Sequence, residues 1–350
     1  MPSYKARLIP NSSIPNAPIR EHCLVHRSRI TTIGRDKGHQ VRIKRDTPDG
    51  IRSALYTVID LHDEKQNAVF LGYKDADDLS KRLGLSSIDP FMGKIDSQVT
   101  DDSEFTEHLT DNGHHRGLIV IAPHGGDIER YTDEQAERVG KRLVSKHVSL
   151  WVCKGFKEGG GAFDCWHITS TDICEESFPR LKEVIGRGFE YAVAFHGWDE
   201  DSICIGGSAP PDLKQQIKTA VESATSGSGI VVATDEDGGC PPNFNGNDPR
   251  NIVNRLATNG IQIEQSKAAR RKYHNKIADA VADIMDPKIQ VCIAPAFEGS
   301  DFWTCLIEGI SDSVLAMSRT GMPSLQCEIK RLQFRIRKYS QGNSDPRIEL

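Results

Sequence analysis

The stretch Gly117-Leu-Ile-Val-Ile-Ala-Pro-His-Gly-Gly-Asp-Ile-Glu129 sets an unbroken apolar run against a loop carrying an imidazole and two carboxylates. Leu118 to Ala122 is too short a run for a helix and suits a strand buried on both faces, which Pro123 should end because proline has no N–H for the ladder. His124 then falls just past the strand's carboxyl end, the edge at which open α/β sheets bind ligands. Gly125-Gly126 lets the backbone turn tightly beneath something held close. His124, Asp127 and Glu129 are therefore candidate metal ligands.

Downstream, the pattern repeats. Tyr191-Ala-Val-Ala-Phe195 is a second apolar strand that stops at a histidine and a glycine, His196-Gly-Trp. Between the two, Thr132-Asp133-Glu134 opens a helix expected to run to about Ser145, with acids first and bases last. Val148–Cys153 and Cys165–Thr169 read as strands around the flexible Glu158-Gly-Gly-Gly161, and Phe178–Ile185 as a helix. Further on, Pro211–Ser223 and Pro249–Thr258 fit helices, Gly229–Ala233 and Ile261–Glu264 strands, and Ala268–Met285 a long amphipathic helix. Gln290–Ala294 then opens a less legible C-terminal segment. Strands alternating with helices predict an α/β fold, a mixed, mostly parallel twisted sheet with helices on both faces.

The first hundred residues read differently. Val41-Arg-Ile-Lys alternates before the turn Asp46-Thr-Pro-Asp-Gly50, and Ser53–Ile59 and Ala68–Tyr73 are rich in β-formers. A small β-rich N-terminal domain is expected there, with Asp96–Gly113 as a polar linker. The division expected is 1–112 for this domain and its acidic linker, 113–290 for the catalytic-type domain and 291–350 for a C-terminal extension.

With 37% hydrophobic and 27% charged residues, the composition is that of a soluble globular protein, and no apolar run approaches the roughly 18 residues of a membrane span. A net charge of -5 argues against general nucleic-acid binding. The first residues lack the apolar core of a secretory signal, so a cytoplasmic location is expected. The 9 cysteines form no Cys-x-x-Cys pair, which favours mostly reduced, buried thiols; Cys153, Cys204 and Cys292 fall inside strand-like runs.

A hydrolytic zinc site needs three nitrogen or carboxylate ligands and an open position for water. His124, Glu129 and His196 could supply them, with Asp127 as the rival carboxylate. A lone histidine is more often structural; two such strand ends, one with a carboxylate five residues on, raise a shared metal site to equal standing with that reading. His167, inside an expected strand, reads as a core histidine. Glu264 lies in the apolar strand Ile261-Gln-Ile-Glu-Gln-Ser266, where a carboxylate is costly unless it has a partner, and a general base would justify that cost. Asn251 and Arg255, four apart on an expected helix, share a face that could clamp a substrate carboxylate. No Gly-Lys-Ser/Thr follows Gly125-Gly126, which excludes a P-loop.

Taken in order, Ala-Pro-His124-Gly-Gly-Asp-Ile-Glu129, Trp-His167-Ile-Thr-Ser-Thr, Phe-His196-Gly, Asn251-Ile-Val-Asn-Arg255 and Ile-Gln-Ile-Glu264-Gln-Ser resemble the zinc-dependent poly-γ-glutamate hydrolases of phage type. The resemblance covers about residues 115–285. It implies a zinc-carboxypeptidase-like fold, zinc on His124, Glu129 and His196, carboxylate recognition by Asn254 and Arg255, and Glu264 as general base. The expected activity is hydrolysis of γ-glutamyl amides by metal-activated water, with an acidic γ-glutamyl polymer as substrate. The alternatives are an N-acyl-amino-acid amidohydrolase of small acidic substrates and a non-catalytic binding module.

Overall fold

In a computed structural model of the chain, residues 2–15, 18–85, 87–113 and 115–289 are described. The C-terminal extension at 291–350, the segment beginning at Gln290, and Cys292, Cys305 and Cys327 lie outside them.

The N-terminal part is built from β1 (Ser3–Asn11), β2 (His22–His26), the short helix α1 (Arg27–Ile30), β3 (Gln40–Thr47), β4 (Gly50–His62), β5 (Ala68–Gly72), α2 (Ala76–Leu83) and β6 (Phe91–Asp96). The β-rich expectation is met more completely than the sequence indicated, because the strands close into a barrel in the order β1-β5-β2-β4-β3-β6. The turn at Asp46–Gly50 joins β3 to β4 as an antiparallel hairpin, with Thr47 opposite Gly50. Closure leaves no unpaired strand edge. It also fills the interior with fully buried Leu8, Val25, Ile43, Val58 and Val69. Burying each such side chain stabilises the fold by roughly 1.5–3 kcal/mol.

The second part comprises β7 (Phe105–Thr110), β8 (Leu118–Gly126), α3 (Thr132–Arg142), β9 (Ser149–Gly155), α4 (Ala162–Trp166), α5 (Pro179–Lys182), β10 (Phe189–Trp198), β11 (Ser202–Gly206), α6 (Pro211–Ala224), β12 (Val231–Thr234), α7 (Ile252–Leu256), β13 (Ala257–Ser266) and α8 (Lys267–Met285). Its strands form a 7-stranded sheet in the order β12-β11-β13-β10-β8-β9-β7. The central run β13-β10-β8-β9 is parallel, while β11 meets β13 and β7 meets β9 antiparallel. This is the mixed, mostly parallel sheet expected.

Strand alternation explains the two layers. Leu118, Val120 and Ala122 of β8 pack with apolar residues of α3, α6 and α8, whereas Ile119 and Ile121 join a cluster that includes α4, α5, α7 and the barrel core. Each face of the sheet is thereby covered.

Local differences from the sequence reading have identifiable causes. β8 runs past Pro123, and its pairing to β9 is irregular between Ala122 and Gly125, so the proline is absorbed in a bulge instead of ending the strand. Residues 165–166 are helical, in α4, and the chain is extended from His167. β7 pairs with β9 inside the stretch expected as a linker, so the large sheet begins at Phe105, ahead of residue 113. The acids of that stretch are used: Asp101 and Glu104 grip the buried Arg42 of β3, whose guanidinium also lies over the Trp166 ring. Cys204, expected as a free thiol, is bonded to Cys240, while Cys23, Cys153, Cys165 and Cys174 are free. No helix among the described residues is long and apolar enough to cross a membrane.

Candidate metal centre and its surroundings

The carboxyl ends of β8, β10 and β13 lie side by side, and each delivers one chemically capable side chain: His124, His196 and Glu264. The chain turns back after His124, with the Glu129 N–H donating to the His124 carbonyl at 2.8 Å, and this turn brings the Glu129 carboxylate under both imidazoles. Gly126 makes the turn possible: its φ is +67°, and a Cβ there would stand 2.7 Å from the Gly155 carbonyl oxygen.

His124, Glu129 and His196 are buried. Glu129 Oε1 lies 3.1 Å from His124 Nδ1 and Oε2 lies 3.5 Å from His196 Nδ1, while the two Nδ1 atoms are 3.2 Å apart. A tetrahedral zinc with ligands at about 2.0–2.1 Å sets neighbouring donor atoms about 3.3–3.4 Å apart, so these residues fit the ion. Further, the Nε2–H of His124 donates to the Ile168 carbonyl at 2.9 Å, which leaves the Nδ1 lone pair facing the centre. His196 Nε2 is buried without a hydrogen-bond partner among the described residues. Among the described residues these three form the metal-capable group.

The charges are tightly coupled. Burial opposes ionisation of Glu129, yet the flanking imidazoles hold its carboxyl well below the usual range. Burial also works against a charged His124, but Glu129 draws its pKa upward; at His196 burial wins and the pKa falls. Glu129 Oε2 additionally accepts the Gly197 N–H at 2.9 Å.

Glu264 stands opposite His196 in register on the neighbouring strand. Its Oε1 accepts from the Gln262 side chain at 3.0 Å, and Gln262 is itself held by the Asn251 amide at 2.7 Å. Burial first, and then the negative charge of Glu129, push its carboxyl well above the usual range, against the pull of Arg270. The buried Arg270 of α8 lies flat against Gly197, where a Cβ would stand 2.2 Å from its guanidinium carbon. It donates to the carbonyls of Gln265 and Arg130.

The other expected site residues fall differently. Asp127 pairs with Arg130 at 2.7 Å on the exposed side of the loop, so the rival carboxylate is turned to a surface ion pair. Asn251 is the cap of α7, which begins at Ile252, three residues later than the Pro249 start expected; its side-chain oxygen accepts from the Val253 N–H and its amide donates to Gln262. The Asn254 amide donates to the carbonyls of Gly246 and Asp248. Arg255 donates to the Ile173 carbonyl at 2.7 Å and pairs with Glu175. Both side chains brace loops in this arrangement. His167, read as a core histidine, packs its ring 4.2 Å from that of His124, with Nε2 3.7 Å from Glu129 Oε1.

A sequence model described as Poly-gamma-glutamate hydrolase matches residues 93–285, more than half of the chain. The chain belongs to the poly-gamma-glutamate hydrolase family. The UPF0714 protein YndL of Bacillus subtilis (strain 168) is 32% identical over 160 residues, which are 44% of this chain and 55% of that protein. A prophage-derived relative of the same organism, YoqZ, is 26% identical over 46% of this chain and 53% of its own length. The chain thus spans about half the length of these curated relatives. Of solved structures, a bacteriophage poly-gamma-glutamate hydrolase is 24% identical with a TM-score of 0.41, covering 53% of this chain and 89% of that one.

Around this candidate site, Arg270 was legible in the sequence only beside Lys267 and Arg271, as a base that attracts an acidic polymer; Gly197, which leaves room for a flat group, was the signal for its place against the strand end. Glu21, in the barrel, bonds His167 and carried no local signal.

Proposed function

We propose that this chain hydrolyses γ-glutamyl amide bonds of the kind that join poly-γ-glutamate, using zinc held by His124, Glu129 and His196. The observation that carries this reading is the set of three donor separations, 3.1, 3.2 and 3.5 Å, around one buried point beside Glu264. Zinc bound there would supply Lewis acidity, lowering the pKa of water and polarising a carbonyl.

The remaining work belongs to the protein's own groups. Glu264 accepts a proton from the attacking water and passes it to the leaving amine, a role suited to a carboxyl that burial and the charge of Glu129 push above the usual carboxylate range. The Gln262 amide fixes one of its oxygens, leaving the other for the proton. Arg270, whose charge acts on both Glu129 and Glu264, meets the negative charge brought by the substrate or developed at its carbonyl. A γ-linked chain keeps a free α-carboxylate at every residue, so such a cation serves internal bonds as well as terminal ones.

The test is mass spectrometry of γ-linked and α-linked oligoglutamates after incubation with zinc-loaded protein. Shortened γ-linked products in clear excess over α-linked ones are expected. Equal cleavage of the two would remove the γ-glutamyl assignment, and cleavage of neither would remove the hydrolase reading.

A further inference from the structure

The barrel reaches the metal centre through one carboxylate. Glu21 lies in the 3-10 turn Ile19–Glu21 that leads from β1 into β2, and it is 1% exposed. Its Oε1 accepts from His167 Nδ1 at 2.7 Å, and its Oε2 accepts from the Thr169 N–H at 3.0 Å and the Thr169 hydroxyl at 3.3 Å. Glu21 thus grips the residues on either side of Ile168, whose carbonyl orients His124. The His167 ring, held from below by Glu21 and stacked on Phe163 at 4.5 Å, turns its other edge toward Glu129.

A buried carboxylate is costly without compensation. Burial alone would raise its pKa, yet His167 and then Arg82 hold Glu21 at about 2, so it stays charged. Arg82, also buried, donates to the carbonyls of Leu55 in the barrel and Asp164 in α4. The barrel has cheaper ways of tying down this loop, and uses them. Gln40 donates to the Asp172 carbonyl at 2.6 Å and accepts from the Cys174 N–H at 3.0 Å, and His22 contacts Asp172 at 2.9 Å. Adhesion between barrel and loop therefore does not require an ion at position 21, whereas fixing a hydrogen-bonded imidazole and a carbonyl beside a metal centre does call for an oriented acceptor.

We infer that Glu21 is a positioning residue of the metal centre: through His167 and the Ile168 carbonyl it holds His124 and Glu129 in place, so the N-terminal barrel completes a site carried by the other sheet. This rests on the proposed zinc hydrolase reading, and it adds that the catalytic-type domain is incomplete without the barrel.

The test compares Glu21→Gln, Glu21→Asp, His167→Asn, the Glu21→Gln/His167→Asn double variant and Gln40→Leu in the full chain. Zinc affinity is read by competition with a chromophoric chelator, and kcat and KM separately on γ-linked oligoglutamate. Glu21→Gln should weaken zinc binding and lower kcat by about 10- to 100-fold each, with KM changed little, as loss of an outer orienting partner does elsewhere. The double variant should be no worse than the poorer single one, and Gln40→Leu should lower Tm while keeping zinc affinity. Wild-type zinc affinity and kcat in Glu21→Gln, multiplicative losses in the double variant, or equal zinc loss in Gln40→Leu would each overturn the inference. Should Glu21→Gln fail to fold, Glu21→Asp, which keeps the charge but shortens its reach, is judged by the same criteria. If the wild type turns over no γ-linked glutamate, the hydrolase reading fails, and the chelator competition still decides the role of Glu21.

Discussion

His196 and Glu264 face one another in register across the parallel pair β10 and β13, a histidine and a carboxylate delivered by neighbouring strands to one end of the sheet. In the function proposed above, His196 holds the metal and Glu264 handles the proton. Replacing Glu264 by Gln keeps the shape and removes the acceptor. The Glu264→Gln variant should therefore bind zinc as the wild type does and lose about 100- to 10,000-fold in kcat. Near-normal turnover would take Glu264 out of the mechanism.

The three donor atoms surround one point, at separations close to those a tetrahedral zinc would set. Purified protein should hold about one zinc per chain, and His124→Ala or His196→Ala should lose most of it. Elemental analysis of the dialysed proteins measures this. Full zinc in both variants would place the ion elsewhere.

Arg270 and Arg255 should separate by kind of effect. Arg270→Lys should lower kcat/KM on acidic substrates by about 10- to 100-fold, the scale of one charge-assisted hydrogen bond. Arg255→Lys breaks ties to Ile173 and Glu175, so its main effect should be a lower Tm. The reverse ranking in kinetic and melting measurements would restore Arg255 as the substrate's partner.

Acid should weaken two ion pairs, Asp101 with Arg42 of the barrel and Asp111 with Arg187 beside the large sheet. The Arg187 fork first, opposed by burial, and then Ser149 hold Asp111 at about 2, and burial is outweighed at Asp101 by backbone N–H groups and Arg42, which also bring it to about 2. Both folded pKa values lie below the ordinary aspartate value, so their stabilisation is present above about pH 4 and is lost as pH falls toward 2. Burial brings His115 down to about 4, so the unfolded chain takes up its proton first and stability also declines from about pH 6.5 toward 4. Denaturant titrations across this range should show falling stability, with a shallower low-pH slope in Asp111→Asn. Stability unchanged between pH 6.5 and 2 would contradict these assignments.

The Cys204–Cys240 bond closes a loop between β11 and the segment after β12. Reduction should cost about 2–4 kcal/mol of stability. Melting with and without reductant, beside Cys204→Ser, measures it; no change in either sample would show that the bond does not form in solution.

The sequence announced the site where the chemistry is local to a strand end. Each of His124 and His196 follows an apolar run short enough to be a buried strand, and a parallel sheet necessarily brings such ends together. Glu264 was legible because a carboxylate in an apolar strand needs a reason. Long-range partners left no such trace. Glu21 sits among charged residues in Arg20-Glu21-His22, and only barrel closure carries it to His167. The face of α8 that Arg270 occupies depends on packing against Gly197. The partners of Asn251 and Arg255 were not legible either: Asn251 caps α7 by accepting from the Val253 N–H, and Arg255 bonds Ile173 and Glu175, which are distant in sequence. The β-formers of Cys165–Thr169 suggested a strand, but the short helix that Gly161 opens with a positive φ takes Cys165 and Trp166.

Hydrolysis with Glu264 as proton carrier is tested by a side-by-side mass-spectrometric assay of γ-linked oligoglutamate with zinc-loaded wild type and Glu264→Gln, each shown beforehand to hold one zinc per chain. The wild type should give shortened γ-linked products, and Glu264→Gln none above background over the same time. Zinc-loaded wild type that leaves the oligomer intact would rule out γ-glutamyl hydrolysis, and a Glu264→Gln variant that cuts it equally fast would rule out Glu264 as the base.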